Sequence, residues 1–175
     1  WRTIPVTYLD SRRFIDYGEV DGPKDLSGEF AFQWDAYNLY FYCRVRDDQI
    51  TVRHKNGEIH RGDLIELFIN PGGEGFKWND KKNFQFGFTL DNESNEFKSW
   101  LWPQGYNPVT SAGVQAAIKL SQDGYILEAK IPWRLLGINP REGMTIRLSP
   151  AIHDLDANGG EGKVTWCFAM RKADS

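Results

Sequence analysis

Large apolar residues recur at every second position in one short run after another, and that spacing limits what this chain can fold into. Phe30, Phe32 and Trp34 alternate with Glu29, Ala31 and Gln33. Leu39, Phe41, Cys43 and Val45 then alternate with Tyr40, Tyr42, Arg44 and Arg46. A period of two is the signature of a strand with one face buried, and the turn Asp35-Ala36-Tyr37-Asn38 makes the two runs a hairpin. Further strands are expected at 64–70, 83–89, 97–102, 114–120, 125–131, 145–153 and 164–169. Turn signals separate them, among them Asn70-Pro71-Gly72-Gly73, Gln122-Asp123-Gly124 and Asn158-Gly159-Gly160. Short strands at this spacing predict an all-β, antiparallel β-sandwich of jelly-roll type. The single helical candidate is Pro132–Gly137, where proline suits a first turn and glycine an end. Phe84, Phe86 and Phe88 mark a core face, and Trp34, Trp133 and Trp166 are assigned to the core.

At 175 residues the chain is sized for one domain spanning 1–175. Its net charge of −3 argues against a nucleic-acid partner, which needs a strongly basic face. No run approaches the roughly 18–20 apolar residues of a membrane helix. The chain opens at Trp1 without Met and reads as a mature or excised piece of something longer. Cys43 and Cys167 are either bridged or free, since pairing cannot be read from sequence. Aromatics reach 14%, more than a core this size needs, so some tryptophans are expected at the surface.

Four segments in order carry a resemblance. Trp34-Asp35-Ala36-Tyr37-Asn38-Leu39-Tyr40 is followed by Val45-Arg46-Asp47, then by Gly62-Asp63-Leu64-Ile65-Glu66-Leu67-Phe68-Ile69-Asn70-Pro71. The last is Gly124-Tyr125-Ile126-Leu127-Glu128-Ala129-Lys130-Ile131-Pro132-Trp133. Together they resemble the family 9 carbohydrate-binding modules and their DOMON-like relatives, from about Gly28 to Trp166. The resemblance implies an antiparallel sandwich, structural calcium, and a sugar site on a sheet face. It implies a non-catalytic module that binds polysaccharide or oligosaccharide, and the chain is expected to be a monomer carried with a catalytic domain by a secreted or cell-surface parent. Glu66 matches the family's sugar-binding acid. Asn83 and Gln85 fall on the neighbouring strand, with Gln85 in place of a basic group. His60 stands where the family's first stacking tryptophan would fall.

The residues themselves add candidates. Trp100 and Trp102 are two apart in a strand and share one side, either covering the core or stacking on a pyranose. Trp78, in the polar stretch Phe76-Lys77-Trp78-Asn79-Asp80, is either a second platform or a loop anchor. Asn83, Gln85 and Gly87 form the polar face opposite the Phe row, a surface for a ligand or for solvent. The residues 47–62 and 71–82 are the longest polar insertions and are expected to be binding loops. Asp154, Asp156 and Asn158 place oxygen ligands at alternate positions before Gly159, which suits Ca²⁺ or an Asx turn. Three histidines, His54, His60 and His153, show no zinc spacing. The enzyme alternative, a glycoside hydrolase or lyase with paired carboxylates, finds no pair in Asp63 and Glu66, which point to opposite faces. A haem-binding alternative finds no axial pair around Met144 and Met170.

Overall fold

The computed structural model describes residues 1–52, 62–72, 80, 82–90, 97–102, 109–110, 113–156 and 158–166. Side chains at 11, 97–102 and 109–110 lie outside that description. Among the described residues the chain forms β1 (Thr7–Asp10), a helical turn α1 (Ser11–Phe14), β2 (Ile15–Gly18), β3 (Leu26–Trp34), β4 (Asn38–Asp47) and β5 (Leu64–Asn70). It continues with β6 (Phe84–Leu90), β7 (Phe97–Trp102), β8 (Val109–Thr110), β9 (Gln115–Ser121), β10 (Gly124–Pro132), a 3₁₀ turn (Trp133–Leu136), β11 (Arg147–Leu155) and β12 (Glu161–Thr165). All pairings are antiparallel. Among the described residues one sheet has five strands in the order β1-β3-β4-β10-β9, and the other has seven, β2-β12-β11-β5-β6-β7-β8.

The two sheets close on the apolar rows that the alternation marks. Phe41, Cys43 and Val45 from one side meet Ile65, Leu67, Phe86 and Phe88 from the other. Phe41 stacks on Phe32 at 5.1 Å between ring centres, and Phe86 lies parallel to Phe88 at 6.3 Å. The β3–β4 hairpin is set by Asp35, whose Oδ1 accepts from the backbone N–H groups of both Tyr37 and Asn38 at 2.7 Å. This Asx turn substitutes a side-chain oxygen for a backbone partner. Trp133 docks there, its indole N–H donating to the Asp35 carbonyl at 2.9 Å. Gly137 ends the 3₁₀ turn at φ 65°, as a glycine after Leu136 should.

Several expectations need correction. Trp34 is 52% exposed because it is the last residue of β3 and overhangs the sandwich end. Trp166 is 39% exposed; only part of its ring is covered, by Phe14 and Phe30. Trp133 is buried as expected. The last strand begins at Glu161, earlier than the expected Val164, and residues 167–169 lie outside the description. The N-terminal strands β1 and β2 had no alternation to announce them. Cys43 is a free, buried thiol. Its possible partner Cys167 lies outside the described residues.

Candidate functional site

On the outer face of the seven-stranded sheet, away from the core, β5 presents Glu66 and Phe68, and β11 presents Ala151 and His153. Register fixes the grouping. Glu66 stands between Gly87 of β6 and Ala151 of β11, while Lys163 of β12 stands between His153 and Tyr17 of β2. Glu66 is 3% exposed, and a buried carboxylate must be paired or protonated. It is paired. Gln85 Nε2 donates to Oε1 at 2.5 Å, His153 Nε2 to Oε2 at 2.5 Å, and Lys163 Nζ to Oε2 at 2.9 Å. Lys163 also lies over the Phe68 ring at 5.4 Å.

Burial alone would raise the Glu66 pKa, but the charges and hydrogen bonds of His153 and Lys163 outweigh it and hold the carboxyl well below the usual range. Burial pulls His153 down. A neutral imidazole donating from Nε2 must accept at Nδ1, and Tyr17 Oη lies 3.2 Å from that atom. The phenol is able to donate, because burial and then the Glu66 charge push it up to about 12. Tyr17, His153 and Glu66 thus form one hydrogen-bonded chain, with Lys163 as the second partner of the carboxylate Oε2.

A second constellation sits at one end of the sandwich. Asp47 ends β4, Asp63 precedes β5, and Asp154 is next to last in β11; their carboxylate oxygens lie within 4.8 Å of one another and all three are buried. Asp63 accepts from the backbone N–H of Leu155 at 2.8 Å and from that of Thr51. Asp47 Oδ1 accepts from Gln49 N at 2.8 Å. Asp47 Oδ2 and the buried Tyr125 hydroxyl have no hydrogen-bond partner among the described residues. Burial, then the neighbouring carboxylates, push Asp47 and Asp63 up and Asp154 to about 7. Asp25, Asp48 and Asp156 form an outer group under the same distance limit, with Asp156 Oδ1 also unpartnered. These are hard oxygen donors with orphaned lone pairs, a set that fits Ca²⁺.

The structure thus divides the expected metal loop. Asp154 joins the buried group and Asp156 the outer one, while Asn158 Oδ1 accepts from the Gly160 N–H at 2.7 Å, an Asx contact within its own loop. Of the expected sugar-site residues, Glu66 and Gln85 are brought together. Asn83 lies further along that face, its Oδ1 accepting from Asn70 Nδ2 at 2.5 Å. Trp100 pairs with Gly87 and Trp102 with Gln85, so β7 extends the Glu66 face by register, though their side chains are not described. His60 and Trp78 lie outside the described residues, as do most of the two expected binding loops. Sequence reading missed Tyr17, His153 and Lys163 as partners of Glu66, and Asp47 and Asp63 as partners of Asp154.

The sequence pattern of the family described as carbohydrate family 9 binding domain-like matches residues 1–172. The chain is 29% identical over 135 residues to endo-1,4-beta-xylanase A of Thermoanaerobacterium saccharolyticum, covering 77% of this chain and 10% of that enzyme. It is 29% identical over 149 residues to exoglucanase XynX of Acetivibrio thermocellus, covering 85% of this chain and 12% of that protein. In fold it is similar to a family 9 carbohydrate-binding module from Caldicellulosiruptor kristjanssonii solved with cellotriose, with a TM-score of 0.68 and 16% identity over 94% of this chain and 73% of that one. The chain spans about a tenth of the length of these curated relatives.

Proposed function

The chain belongs to the carbohydrate family 9 binding domain-like family, and on that premise we propose that it is a non-catalytic module that binds β-linked polysaccharide on the Glu66 face. The observation that carries the reading is the Glu66–Gln85–His153–Lys163 network, set beside a strand that brings Trp100 and Trp102 into register. Sugar recognition combines fixed polar groups that read hydroxyls with aromatic faces that cover C–H faces. Glu66 acts here as the organiser. It holds Gln85, His153 and Lys163 in one arrangement, and each of its oxygens can accept more than one hydrogen bond. The ligand class follows the cellotriose of the solved relative and the xylanase and exoglucanase parents of the curated ones.

The non-catalytic reading has a chemical support. A general acid must carry a proton it can give, with a pKa near the working pH. Glu66 is held ionised by an ammonium and an imidazole, and its pKa is driven the opposite way. A structural Ca²⁺ held by Asp47, Asp63 and Asp154 belongs to the same proposal; it would neutralise carboxylates that form no ion pair with a cation among the described residues. Secretion and a catalytic domain in the same parent are proposed from the relatives, which are xylanases and an exoglucanase of which this chain covers about a tenth. Among the described residues no helix is long and apolar enough to cross a membrane.

Affinity electrophoresis against cellulose-derived and xylan polymers, with reducing-end release assayed in parallel, tests the reading. Retardation without release is expected, and Gln85→Ala should weaken it. Release of reducing ends, or no retardation by any glycan in a broad panel, would sink it.

A further inference from the structure

The outer face of the five-stranded sheet belongs to the opposite layer from Glu66, and the reading above leaves it without a role. Along β4 this face carries Tyr40, Tyr42, Arg44 and Arg46, while Leu39, Phe41, Cys43 and Val45 are buried beneath. Tyr8 of β1 shares a row with Glu29 and Arg44, and Tyr37 stands at the tip of the β3–β4 hairpin. Tyr8 is 66% and Tyr37 78% exposed. A cavity lies at each end of the line. One of about 240 Å³ is lined by Tyr8, Glu29, Arg44, Arg46 and Asp123, and one of about 520 Å³ by Tyr37, Asn38, Gln115, Lys130 and Arg134, two cations with no carboxylate in the lining.

The middle of the line is held in place. Tyr40 donates to Asp35 Oδ2 at 2.8 Å and Tyr42 to Glu29 Oε1 at 3.3 Å. Arg44 and Arg46 both reach Asp123, each with a 3.2 Å contact. Single exposed tyrosines are ordinary, but the exposed Tyr8 and Tyr37, joined along β4 by the half-buried Tyr42 and Tyr40 and by Trp1, whose ring centre lies 5.5 Å from that of Tyr42, make a surface of defined chemistry. Its charges select among ligands. At the Tyr8 cavity two guanidinium groups face the carboxylates of Asp123 and Glu29, so the local charge is already balanced. A nucleic acid would need a net positive field. A protein partner would need an apolar centre, and here the centre is tyrosine rims and ion pairs. An uncharged, hydroxyl-rich chain needs neither.

We propose that this face is a second glycan-binding surface, taking an extended neutral polysaccharide chain along the line Tyr8–Tyr42–Tyr40–Tyr37. It extends the reading of the Glu66 face to the other side of the sandwich. A polymer covers the whole line from Tyr8 to Tyr37 and offers many overlapping positions along its length, so this face adds to polymer binding more than to the binding of a trisaccharide.

The double variant Tyr8→Ala, Tyr37→Ala removes two exposed rings and should leave the melting temperature unchanged. Its apparent affinity for a soluble neutral polymer, β-glucan or xylan, should fall by about tenfold while its affinity for cellotriose stays at the wild-type value. Ring resonances of Tyr8 and Tyr37 in the wild-type protein should shift on adding cellohexaose, and should still shift in Gln85→Ala. Wild-type polymer affinity in the tyrosine variant, or unmoved ring resonances, would overturn the second surface while leaving the Glu66 reading intact. Wild-type protein that binds no glycan would overturn both. Stronger binding of polygalacturonate than of neutral polymers would overturn the choice of an uncharged ligand.

Discussion

Two clusters of buried carboxylates share this sandwich, and they handle their charge in opposite ways. Glu66 lies mid-strand, and the strands on both sides bring it an amide, an imidazole and an ammonium. Asp47, Asp63 and Asp154 meet at the sandwich end, where their partners are backbone N–H groups and one another. The difference shows in the pKa directions: Glu66 is driven down, and the three aspartates are driven up. The first cluster is complete as folded. The second is complete only with a cation or with bound protons.

The largest expected effect comes from making the first cluster resemble the second. Lys163→Met removes the ammonium and leaves Glu66 buried without its counter-charge, which should cost about 3–5 kcal/mol in urea unfolding. Adding Glu66→Gln to the same chain should recover much of that loss, because no buried charge then remains. A single variant within about 1 kcal/mol of wild type would mean that Glu66 already escapes to solvent or protonates at little cost.

The converse change completes the second cluster. With free Ca²⁺ at a hundred times its dissociation constant, an ion bound only by the folded state adds about 2.7 kcal/mol, so chelation should lower the melting temperature by several degrees. Asp63→Asn should remove most of that difference. The effect should also depend on pH in a definite sense. A carboxyl whose folded pKa is raised stabilises the fold below its unfolded value and loses that contribution as pH rises through the folded one. For Asp154 the window runs from about 4 to about 7. The chelated protein should therefore weaken across that window while the calcium-loaded protein does not, and the gap should be wider at pH 8 than at pH 5. Equal gaps at the two pH values would show that the ion sits elsewhere.

How much of this could be read in the sequence follows from what alternation encodes. It gives the side of a strand that each residue occupies, which puts Phe86 and Phe88 in the core and Gln85 on the polar face, whereas Glu66 is marked by the family resemblance and not by alternation. It does not say which strands lie side by side. His153 and Lys163 reach Glu66 from β11 and β12, far along the chain, through a register that no local pattern contains. It also does not say where a sheet ends, so Trp34, on the core side of β3 by alternation, overhangs the edge and is half exposed. The strands β1 and β2, four residues each, are too short to show a period.

The smallest expected effect separates two accounts of the aspartate-rich loop. The spacing of Asp154, Asp156 and Asn158 suggested one set of ligands on a single turn, in which case Asp156→Ala would abolish the response to chelation. The fold argues otherwise. In an extended strand residues two apart share a side, but β11 ends at Leu155 and the loop then turns back on itself, with Asp156 N–H donating to Gly160 O at 2.9 Å and Gly159 N–H to Asp156 O at 2.9 Å. Asp154 is carried inward to Asp47 and Asp63, whereas Asp156 faces the half-buried Asp25 and the exposed Asp48. Charges near solvent are screened, so an ion among the outer three contributes less than one in the buried group. Asp156→Ala should therefore shift stability by about 1 kcal/mol or less and leave most of the chelation effect in place. Asp154→Ala, two residues away, should remove it. Asn158→Ala should cost only a few tenths of a kcal/mol, the worth of an exposed side-chain contact with the Gly160 N–H. If Asp156→Ala alone erased the response to chelation, the ion would belong to the outer group. The buried aspartates would then be left to share protons instead.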